Sequence, residues 1–276
     1  MADTTEVQNI PQQQRRGGFR HWMSRLRSYL FYDPLVWFYT ILLGSISLIS
    51  SFFDRDGRIQ HRVARLWARM ILGTLGVKVQ VEGLEKVDTA KGHVYAVNHL
   101  SALDIPVLYA SLPFQFKILA KKELFHYPFM GWHLRRSGQI SVDLNNARSF
   151  VRSLSRAAID SLKGNTAIVI FPEGGRSSDG HLQKFMGGAF YLAIKAQVDV
   201  IPMALIGTYE VLPMNSFHVQ PRPVRLLAGQ TIPTAGLTLR DMDALTEKTR
   251  ETIDKLYYPN VPDMRGQNQV KREPQQ

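Results

Sequence analysis

The stretch Val94-Tyr95-Ala96-Val97-Asn98-His99-Leu100-Ser101-Ala102-Leu103-Asp104 joins an apolar run to a polar turn. The run Val94–Val97 predicts a strand that ends in a tight turn. In that arrangement Asp104 can fold back onto His99 and keep one ring nitrogen protonated, which leaves the other free to take a proton. A histidine oriented in this way can deprotonate an alcohol near neutral pH. A surface histidine beside an aspartate that caps the turn would show the same two residues.

A second polar cluster follows another apolar run, Ile168–Phe171. Pro172 cannot donate to a sheet ladder, and the two glycines that follow allow turns closed to other residues, so Glu173 and Arg176 are expected at the exit of a strand. A guanidinium has a permanent charge and a fork of donors that fits phosphate oxygens, so Arg176 suits a phosphomonoester. An ion pair with Glu173 that pins the turn is the alternative, and both hold if Glu173 orients Arg176.

The two clusters together resemble the glycerolipid acyltransferases typified by 1-acyl-sn-glycerol-3-phosphate acyltransferase. That family's first motif reads Asn-His-four residues-Asp, its third reads Phe-Pro-Glu-Gly-Thr/Ser-Arg-Ser, and its fourth is a proline between hydrophobic residues. The matching residues, which lie in the family's order, are Asn98, His99, Asp104, Phe171, Pro172, Glu173, Gly174, Arg176, Ser177 and Pro202. The resemblance covers roughly residues 77 to 230. It implies that His99 and Asp104 are catalytic.

The resemblance also implies a substrate-binding group, and the family pattern is altered beside it. The implied substrate-binding residues are Glu173, Gly174, Arg176, Ser177 and Pro202. The second family motif should end in arginine at residue 144, but the chain has Leu144 there, and Gly175 replaces the hydroxyl residue of the third motif. Arg148, Arg135 or Arg136 are the candidates to supply the missing charge. Basic residues also thin out after Lys184, so an acceptor other than lysophosphatidic acid stays open.

The composition limits the chemistry. The 276 residues suffice for one catalytic domain with an appendage. The chain has no cysteine, which excludes disulfides, thiolate metal sites and a cysteine acyl-enzyme. Acyl transfer is then expected to pass directly from thioester to alcohol, with Ser101 as a less favoured nucleophile. Since no HExxH or comparable ligand spacing occurs, we expect no catalytic metal and no cofactor beyond an acyl-CoA or acyl carrier protein co-substrate.

The net charge of +11 implies an acidic partner. The sequence has no zinc-finger spacing and no RNP-like aromatic pattern, so nucleic acid is not favoured as the partner. The stretch Leu35–Phe53, in contrast, has no charged residue and is long enough to cross a bilayer. Arginines flank this stretch almost equally on both sides, which fits either a single span or a monotopic segment that returns to the same face. The stretch starts too late for a cleaved signal peptide. Apolar residues at helical spacing in Phe19–Leu30 and Val63–Ile71 predict amphipathic helices, the second of which also fits ordinary core packing.

The remaining pattern alternates strands with helices. The predicted strands are Val77–Val81, Val94–Asn98, Gln115–Leu119, Ala167–Phe171, Val200–Ile206 and Val224–Ala228. The predicted helices include Leu103–Ala110, Ala147–Leu162, Gly188–Ala196 and Leu239–Leu256. This order predicts an α/β fold with a mixed, largely parallel sheet flanked by helices, after an N-terminal membrane-associated helical segment. The expected organisation is a disordered N-terminus at 1–14, membrane-anchoring helices at 15–75, an acyltransferase domain at 76–258 and a disordered tail at 259–276.

We therefore expect a membrane-associated enzyme, with its active site on the cytoplasmic side, that moves a fatty acyl group from acyl-CoA or acyl carrier protein to a lysophospholipid. The most favoured acceptor is the sn-2 hydroxyl of 1-acylglycerol 3-phosphate, which gives phosphatidic acid. Glycerol 3-phosphate, a lysophospholipid with a larger headgroup, or an aminolipid are alternative acceptors. A non-catalytic membrane-binding protein of the same fold is the alternative from another class.

Overall fold

A computed structural model of the protein describes residues 19–54, 56–143, 154 and 156–261. The predicted disordered N-terminus at 1–14 and residues 262–276 of the predicted tail lie outside the described residues. The first three residues of that tail are not a tail, because a 3₁₀ helix spans Tyr258–Asn260 and Val261 is 2% exposed. The packed part of the chain thus extends slightly past the predicted domain end at residue 258.

The N-terminal segment is a helical hairpin. Its first arm is one continuous helix made of α1 (Phe19–Arg27), a π-helical turn (Ser28–Tyr32) and α2 (Asp33–Ser50). The second arm is α3 (Arg58–Thr74). Asp54 starts this second arm, since its carboxylate accepts hydrogen bonds from the first main-chain N–H groups of α3. Such a carboxylate also offsets the positive end of the helix dipole.

A seven-stranded sheet forms the centre of the molecule. Its strands are β1 (Val79–Glu82), β2 (Val94–Val97), β3 (Phe116–Lys121), β4 (Ile140–Val142), β5 (Ala167–Ile170), β6 (Val200–Ile206) and β7 (Val224–Ala228). Their order is β1-β7-β6-β2-β5-β3-β4, and only the β6–β7 pair is antiparallel. The middle strands β2, β5 and β6 are buried along their whole length, as expected for parallel strands covered on both faces.

Two helical layers cover the sheet. The α-helices that follow the hairpin are α4 (Asp104–Ser111), α5 (Met130–Arg136), α6 (Arg156–Lys163), α7 (Tyr191–Ala196), α8 (Thr208–Val211) and α9 (Met242–Tyr257). One face of the sheet, with Tyr95 and Val97, packs against α3 and α4. The other face, with Val94 and Ala96, packs against α6, α7 and α9. Alternate residues of β2 therefore serve two separate cores, which is the period of two that a strand imposes.

The predicted fold class is confirmed. Strands β6 and β7 have the predicted bounds, and the other four predicted strands are displaced by two residues or fewer. The altered second motif forms the short strand β4. For the helix predicted at 147–162, the structure has α6 from Arg156, and of the residues before it only Leu154 lies within the described range, where it is not helical. The helix α3 packs in the core through Ala68 and Ile71, which are 0% and 2% exposed, so the core-packing interpretation of that segment holds.

Candidate active site

The two polar clusters meet at one edge of the sheet. Strands β2 and β5 are parallel neighbours in which Val94 pairs with Ile168, so their carboxyl ends lie side by side and the loops that follow them converge. Two main-chain contacts join these loops directly. The main-chain N–H of Ser177 donates to the carbonyl of His99 at 2.8 Å, and the N–H of His99 donates to Oε1 of Glu173 at 2.8 Å.

Asp104 holds the imidazole of His99 in one orientation. Its Oδ2 lies 2.7 Å from His99 Nδ1 and also accepts the main-chain N–H groups of Leu100 and Ser101 at 2.7 and 2.9 Å. The carboxylate is fully buried, whereas 18% of the His99 side chain is exposed. Among the described residues, His99 Nε2 has no hydrogen-bond partner. One ring nitrogen is thus fixed by a carboxylate while the other is free to meet a substrate proton.

Glu173 fastens the loop that carries His99 rather than holding Arg176. Its Oε1 accepts the N–H of His99 and its Oε2 accepts the N–H of Gln183, both at 2.8 Å. Burial raises the pKa of Glu173 to about 7, and the two N–H donors oppose that shift. The ion pair between Glu173 and Arg176 considered from the sequence does not form, because both carboxylate oxygens are committed to the main chain.

The ring of Phe171 lies under the ring of His99. The two centroids are 4.1 Å apart and the planes are inclined by 22°. A π face in this position restrains the second axis of the imidazole. In the sequence Phe171 was considered only as part of a motif, and its contact with His99 was missed. The position of Phe171 directly after β5 is the feature that could have indicated this contact.

Arg176 is exposed at the mouth of the site and has no hydrogen bond or ion pair to any described residue. The turn before it needs glycine, since Gly174 has φ +72°. A Cβ at Gly175 would meet nothing within 4 Å, so the departure from the family's hydroxyl residue leaves open space beside Arg176. The guanidinium is therefore available to an anion that enters from solvent or from a lipid surface.

Ser177 and Pro202, two of the expected substrate-binding residues, are buried. The hydroxyl of Ser177 donates to Asp179 at 3.0 Å and accepts the N–H of Gly180 at 3.1 Å. Pro202 lies inside β6 opposite Ala96. Both residues therefore lie in the interior of the protein, whereas Arg176 is exposed.

Asn98 ties the histidine loop to β6. Its amide donates to the carbonyl of Leu205 at 2.9 Å and accepts the N–H of Leu205 at 2.7 Å. The side chain is fully buried, so this reciprocal pair replaces the strand pairing that ends at Val97. The motif asparagine was quoted from the sequence, but this role depends on a contact 107 residues away along the chain.

Two of the arginines considered as substitutes at Leu144 are already engaged. The guanidinium of Arg135 donates to the carbonyl of Phe125, and that of Arg136 stacks 4.6 Å above the ring of Phe52. Both therefore point toward the neighbouring helices. Leu144 and Arg148 lie outside the described residues.

The chain is similar to known proteins in its sequence and in its fold. The family described as Acyltransferase matches residues 78–206. A chloroplast 1-acyl-sn-glycerol-3-phosphate acyltransferase of Arabidopsis thaliana is 37% identical over 160 residues, 58% of this chain and 44% of that protein. An uncharacterized acyltransferase of Schizosaccharomyces pombe is 30% identical over 71% of each chain. This chain thus spans less than half the length of the first relative but over two thirds of the second.

The fold also has a solved counterpart. The crystal structure of a 1-acyl-sn-glycerophosphate acyltransferase from Thermotoga maritima superposes with a TM-score of 0.65 at 24% identity, over 93% of this chain and 98% of that one. At that identity the likeness concerns the fold. The fission-yeast relative and the matched family region carry the assignment: the chain belongs to the acyltransferase family that includes the 1-acyl-sn-glycerol-3-phosphate acyltransferases.

Proposed function

We propose that the protein transfers a fatty acyl group from acyl-CoA or acyl carrier protein to the sn-2 hydroxyl of 1-acylglycerol 3-phosphate, giving phosphatidic acid. The observation that carries this proposal is the 2.7 Å contact between His99 Nδ1 and the buried carboxylate of Asp104, with Nε2 left free. The relatives named for this reaction support the choice of acceptor.

In the proposed reaction, His99 Nε2 takes the proton of the acceptor hydroxyl as its oxygen attacks the thioester carbonyl carbon. The tetrahedral intermediate then collapses, the C–S bond breaks, and the imidazolium returns the proton to the leaving thiolate. Asp104 stabilises the imidazolium between these steps. General base catalysis of this kind contributes about 10² to 10⁴ in rate, and positioning of the two substrates supplies much of the rest.

The acceptor phosphate is proposed to bind Arg176. The guanidinium is exposed and unpaired among the described residues, and it lies one residue from the main-chain contact between Ser177 and His99. A phosphate bound there brings its glycerol hydroxyl toward the imidazole. Charge-assisted, bidentate bonds of this type fix orientation as well as adding affinity.

The hairpin is proposed to attach the enzyme to one leaflet. Residues Trp22–Ser50 form a helix long and apolar enough to cross a membrane. Both ends, however, are tied to the catalytic domain: Ser28 Oγ accepts the N–H of Val219 at 3.1 Å, and Ser47 Oγ lies 3.3 Å from His133 Nδ1. These anchor points are about 29 Å apart along a helix at about 1.5 Å per residue. A helix held at both ends by the same domain fits the monotopic arrangement better than a span.

The exposed side of this helix supplies the lipid contact. Side chains that point away from the domain include Trp37, Ile41 and Ile49, at 61, 65 and 64% exposure. Arginines flank the segment on both sides, so the positive-inside preference favours the cytoplasmic face for both flanks and for the active site. Both lipid substrates could then enter sideways, which avoids moving acyl chains into water at about 0.8 kcal/mol per methylene.

A different acceptor is a second candidate, because Leu144 replaces the arginine that the family places near the glycerol phosphate. Glycerol 3-phosphate, a larger lysophospholipid and an aminolipid belong to this group. Assays with one labelled acyl-CoA and a panel of these acceptors, beside 1-acylglycerol 3-phosphate, separate the candidates. Release of free thiol that depends on added acceptor separates any of these enzymes from a non-catalytic membrane-binding protein.

Two substitutions test the assigned roles in purified, detergent-solubilised protein. His99→Ala should abolish acyl transfer without unfolding, and retained turnover would remove His99 as the base. Arg176→Ala should raise the KM for the phosphorylated acceptor more than the KM for acyl-CoA. Arg240→Ala is the matched control, because Arg240 is equally exposed but lies at the opposite end of α9 from the site. Equal effects on both substrates, or the same effect from the control, would count against the phosphate site.

A further inference from the structure

Four large apolar side chains are exposed within six residues of the segment that follows β3. Tyr127, Phe129, Met130 and Trp132 are 59, 68, 51 and 53% exposed. Single exposed apolar residues are ordinary on protein surfaces, but a contiguous group marks an interaction site. Neither the motifs nor the proposed reaction uses these residues.

The segment is held rigidly in this exposed position. A Cβ at Gly131 would lie 2.1 Å from the carbonyl oxygen of Phe125, so α5 packs directly on the main chain of the preceding turn. Phe129 has φ +59°, a conformation that is costly for a bulky residue. The turn thus accepts backbone strain while it presents an aromatic ring outward, which is a pattern associated with function.

The exposed group continues onto the tip of the hairpin. The rings of Phe129 and Trp132 have centroids 5.3 Å apart, and Arg136 lies one helical turn beyond Trp132. Its guanidinium stacks 4.6 Å above the ring of Phe52, next to Phe53, which is 84% exposed. We call Phe52, Phe53, Phe129 and Trp132 the aromatic strip. It joins two segments that are 76 residues apart in sequence into one surface.

The surroundings of the aromatic strip are basic. Lys121, Arg135 and Arg136 are exposed beside it, with Glu123 as the exposed acid of the same segment, while Lys122 is paired with Asp143. The whole chain carries a net charge of +11. Aromatic rings with flanking arginines and lysines suit the boundary between acyl chains and anionic headgroups.

We propose that the aromatic strip inserts into the surface of an anionic bilayer as a second membrane contact, separate from the exposed side of α2. Two contacts fix the orientation of the domain on the membrane, whereas a single helix would leave the domain free to rotate about the helix axis. The strip follows the carboxyl end of β3, and β3 is parallel to β5, so the strip and the active site share one edge of the sheet. This inference rests on the proposed function only in giving that orientation a purpose, which is to turn His99 and Arg176 toward the lipid.

Tryptophan fluorescence tests the insertion directly. The chain has four tryptophans, so Trp22→Phe, Trp37→Phe and Trp67→Phe together leave Trp132 as the sole reporter. On vesicles of phosphatidylcholine and phosphatidylglycerol with brominated acyl chains, Trp132 emission should shift to the blue and be strongly quenched. The matched control adds Trp132→Phe and Leu239→Trp, because Leu239 is 43% exposed just before α9, which packs on the opposite face of the sheet. That reporter should remain unquenched.

A second experiment measures the contribution of the strip to binding. The double variant Phe129→Ser, Trp132→Ser of the full chain should partition onto the same vesicles about a hundredfold more weakly than the wild type, since it loses the burial of two large apolar side chains. Leu239→Ser should leave partitioning unchanged. Acyl transfer by the double variant should fall on vesicles but persist in detergent micelles, where the orientation of the domain does not matter.

Several outcomes would overturn the proposal. One is unquenched Trp132 on vesicles that bind the protein, and another is unchanged partitioning of the double variant. A third is a concentration-dependent dimer, seen by sedimentation, that the double variant abolishes, since the strip would then be an interface between two copies. Quenching of Trp132 in a protein with no acyl transfer would instead support the strip and reject the proposed function.

Discussion

Replacing Asp104 by Asn removes a charge at the site while nearly preserving its shape. In the structure Oδ2 of Asp104 accepts three donors, from His99, Leu100 and Ser101, whereas the buried Oδ1 has no partner among the residues that the structure describes. An asparagine can place its amide oxygen at the Oδ2 position and keep all three bonds. The ring orientation should therefore survive, and what disappears is the attraction between the carboxylate and the imidazolium.

The size of this loss follows from distance and environment. With a hydrogen bond of 2.7 Å, the charge centres of carboxylate and imidazolium lie about 4 Å apart. At an effective dielectric constant of about 20 their attraction is about 4 kcal/mol. Because the imidazolium exists in the transition state and not in the resting enzyme, this energy enters kcat, and we expect Asp104→Asn to lower kcat by about 10³. The KM values for both substrates should change little.

The assay is release of free thiol from acyl-CoA in the presence of 1-acylglycerol 3-phosphate and detergent, with thermal unfolding recorded in parallel. The new amide N–H₂ takes the unpartnered Oδ1 position and costs about 1–3 kcal/mol of stability. Asp54→Asn is the matched control, because Asp54 is also a buried carboxylate that accepts three main-chain N–H groups, but at the start of α3. It should lower stability and spare kcat. A kcat for Asp104→Asn within tenfold of the wild type would refute the reasoning.

Three further predictions concern the residues around the pair. Burial raises the pKa of Glu173 to about 7 from its usual 4.5, so the folded protein binds the carboxyl proton more tightly than the unfolded chain does. The protonated carboxyl therefore contributes fully to the free energy of unfolding below about pH 4.5, and this contribution falls by about 3 kcal/mol as the pH rises through 7. Denaturation at pH 5 and pH 8 should show this difference in the wild type but not in Glu173→Gln. Asn98→Ala removes both hydrogen bonds to Leu205 and should lower the free energy of unfolding by about 2–4 kcal/mol. A decrease below about 1 kcal/mol in a denaturant titration would show that water takes over the hydrogen bonds of the amide. Phe171→Leu keeps the apolar volume but removes the π face that restrains the imidazole of His99, so kcat should fall about fivefold with an unchanged melting temperature, and an unchanged kcat would assign Phe171 to packing alone.

Sequence patterns predict the elements of this fold that are determined by neighbouring residues along the chain. The sequence predicts the bounds of β6 and β7 to the residue, because each is a short, mainly apolar segment that ends at a glycine, Gly207 and Gly229. The short strand β4 and the helix α5 are only three and seven residues long, too short for periodicity to distinguish them from loops. The antiparallel direction of β7 depends on pairing across the sheet, which no local pattern encodes.

Some features of the site also follow from neighbouring residues in sequence, whereas others depend on tertiary packing. The spacing of His99 and Asp104 predicts their contact, because five residues across one turn suffice for it. The ion pair between Glu173 and Arg176, which the sequence offered as an alternative, does not form, since two main-chain N–H groups bind the carboxylate and their position depends on tertiary packing. The buried state of Ser177 and the stacking of Phe171 likewise follow from how two loops meet at a sheet edge.

The first arm of the hairpin is packed tightly against the rest of the chain, which limits both truncation of the protein and its divergence in evolution. Val36 and Tyr39 pack into the same apolar cluster as α3 and the central strands, and Trp67 Nε1 donates to Thr40 at 3.0 Å. Removing residues 19–50 to obtain a soluble enzyme would uncover that cluster and leave the indole without its acceptor. The hairpin and the α/β domain should therefore unfold as one cooperative unit, and a lineage could not exchange this hairpin for another without rebuilding the face on which it packs.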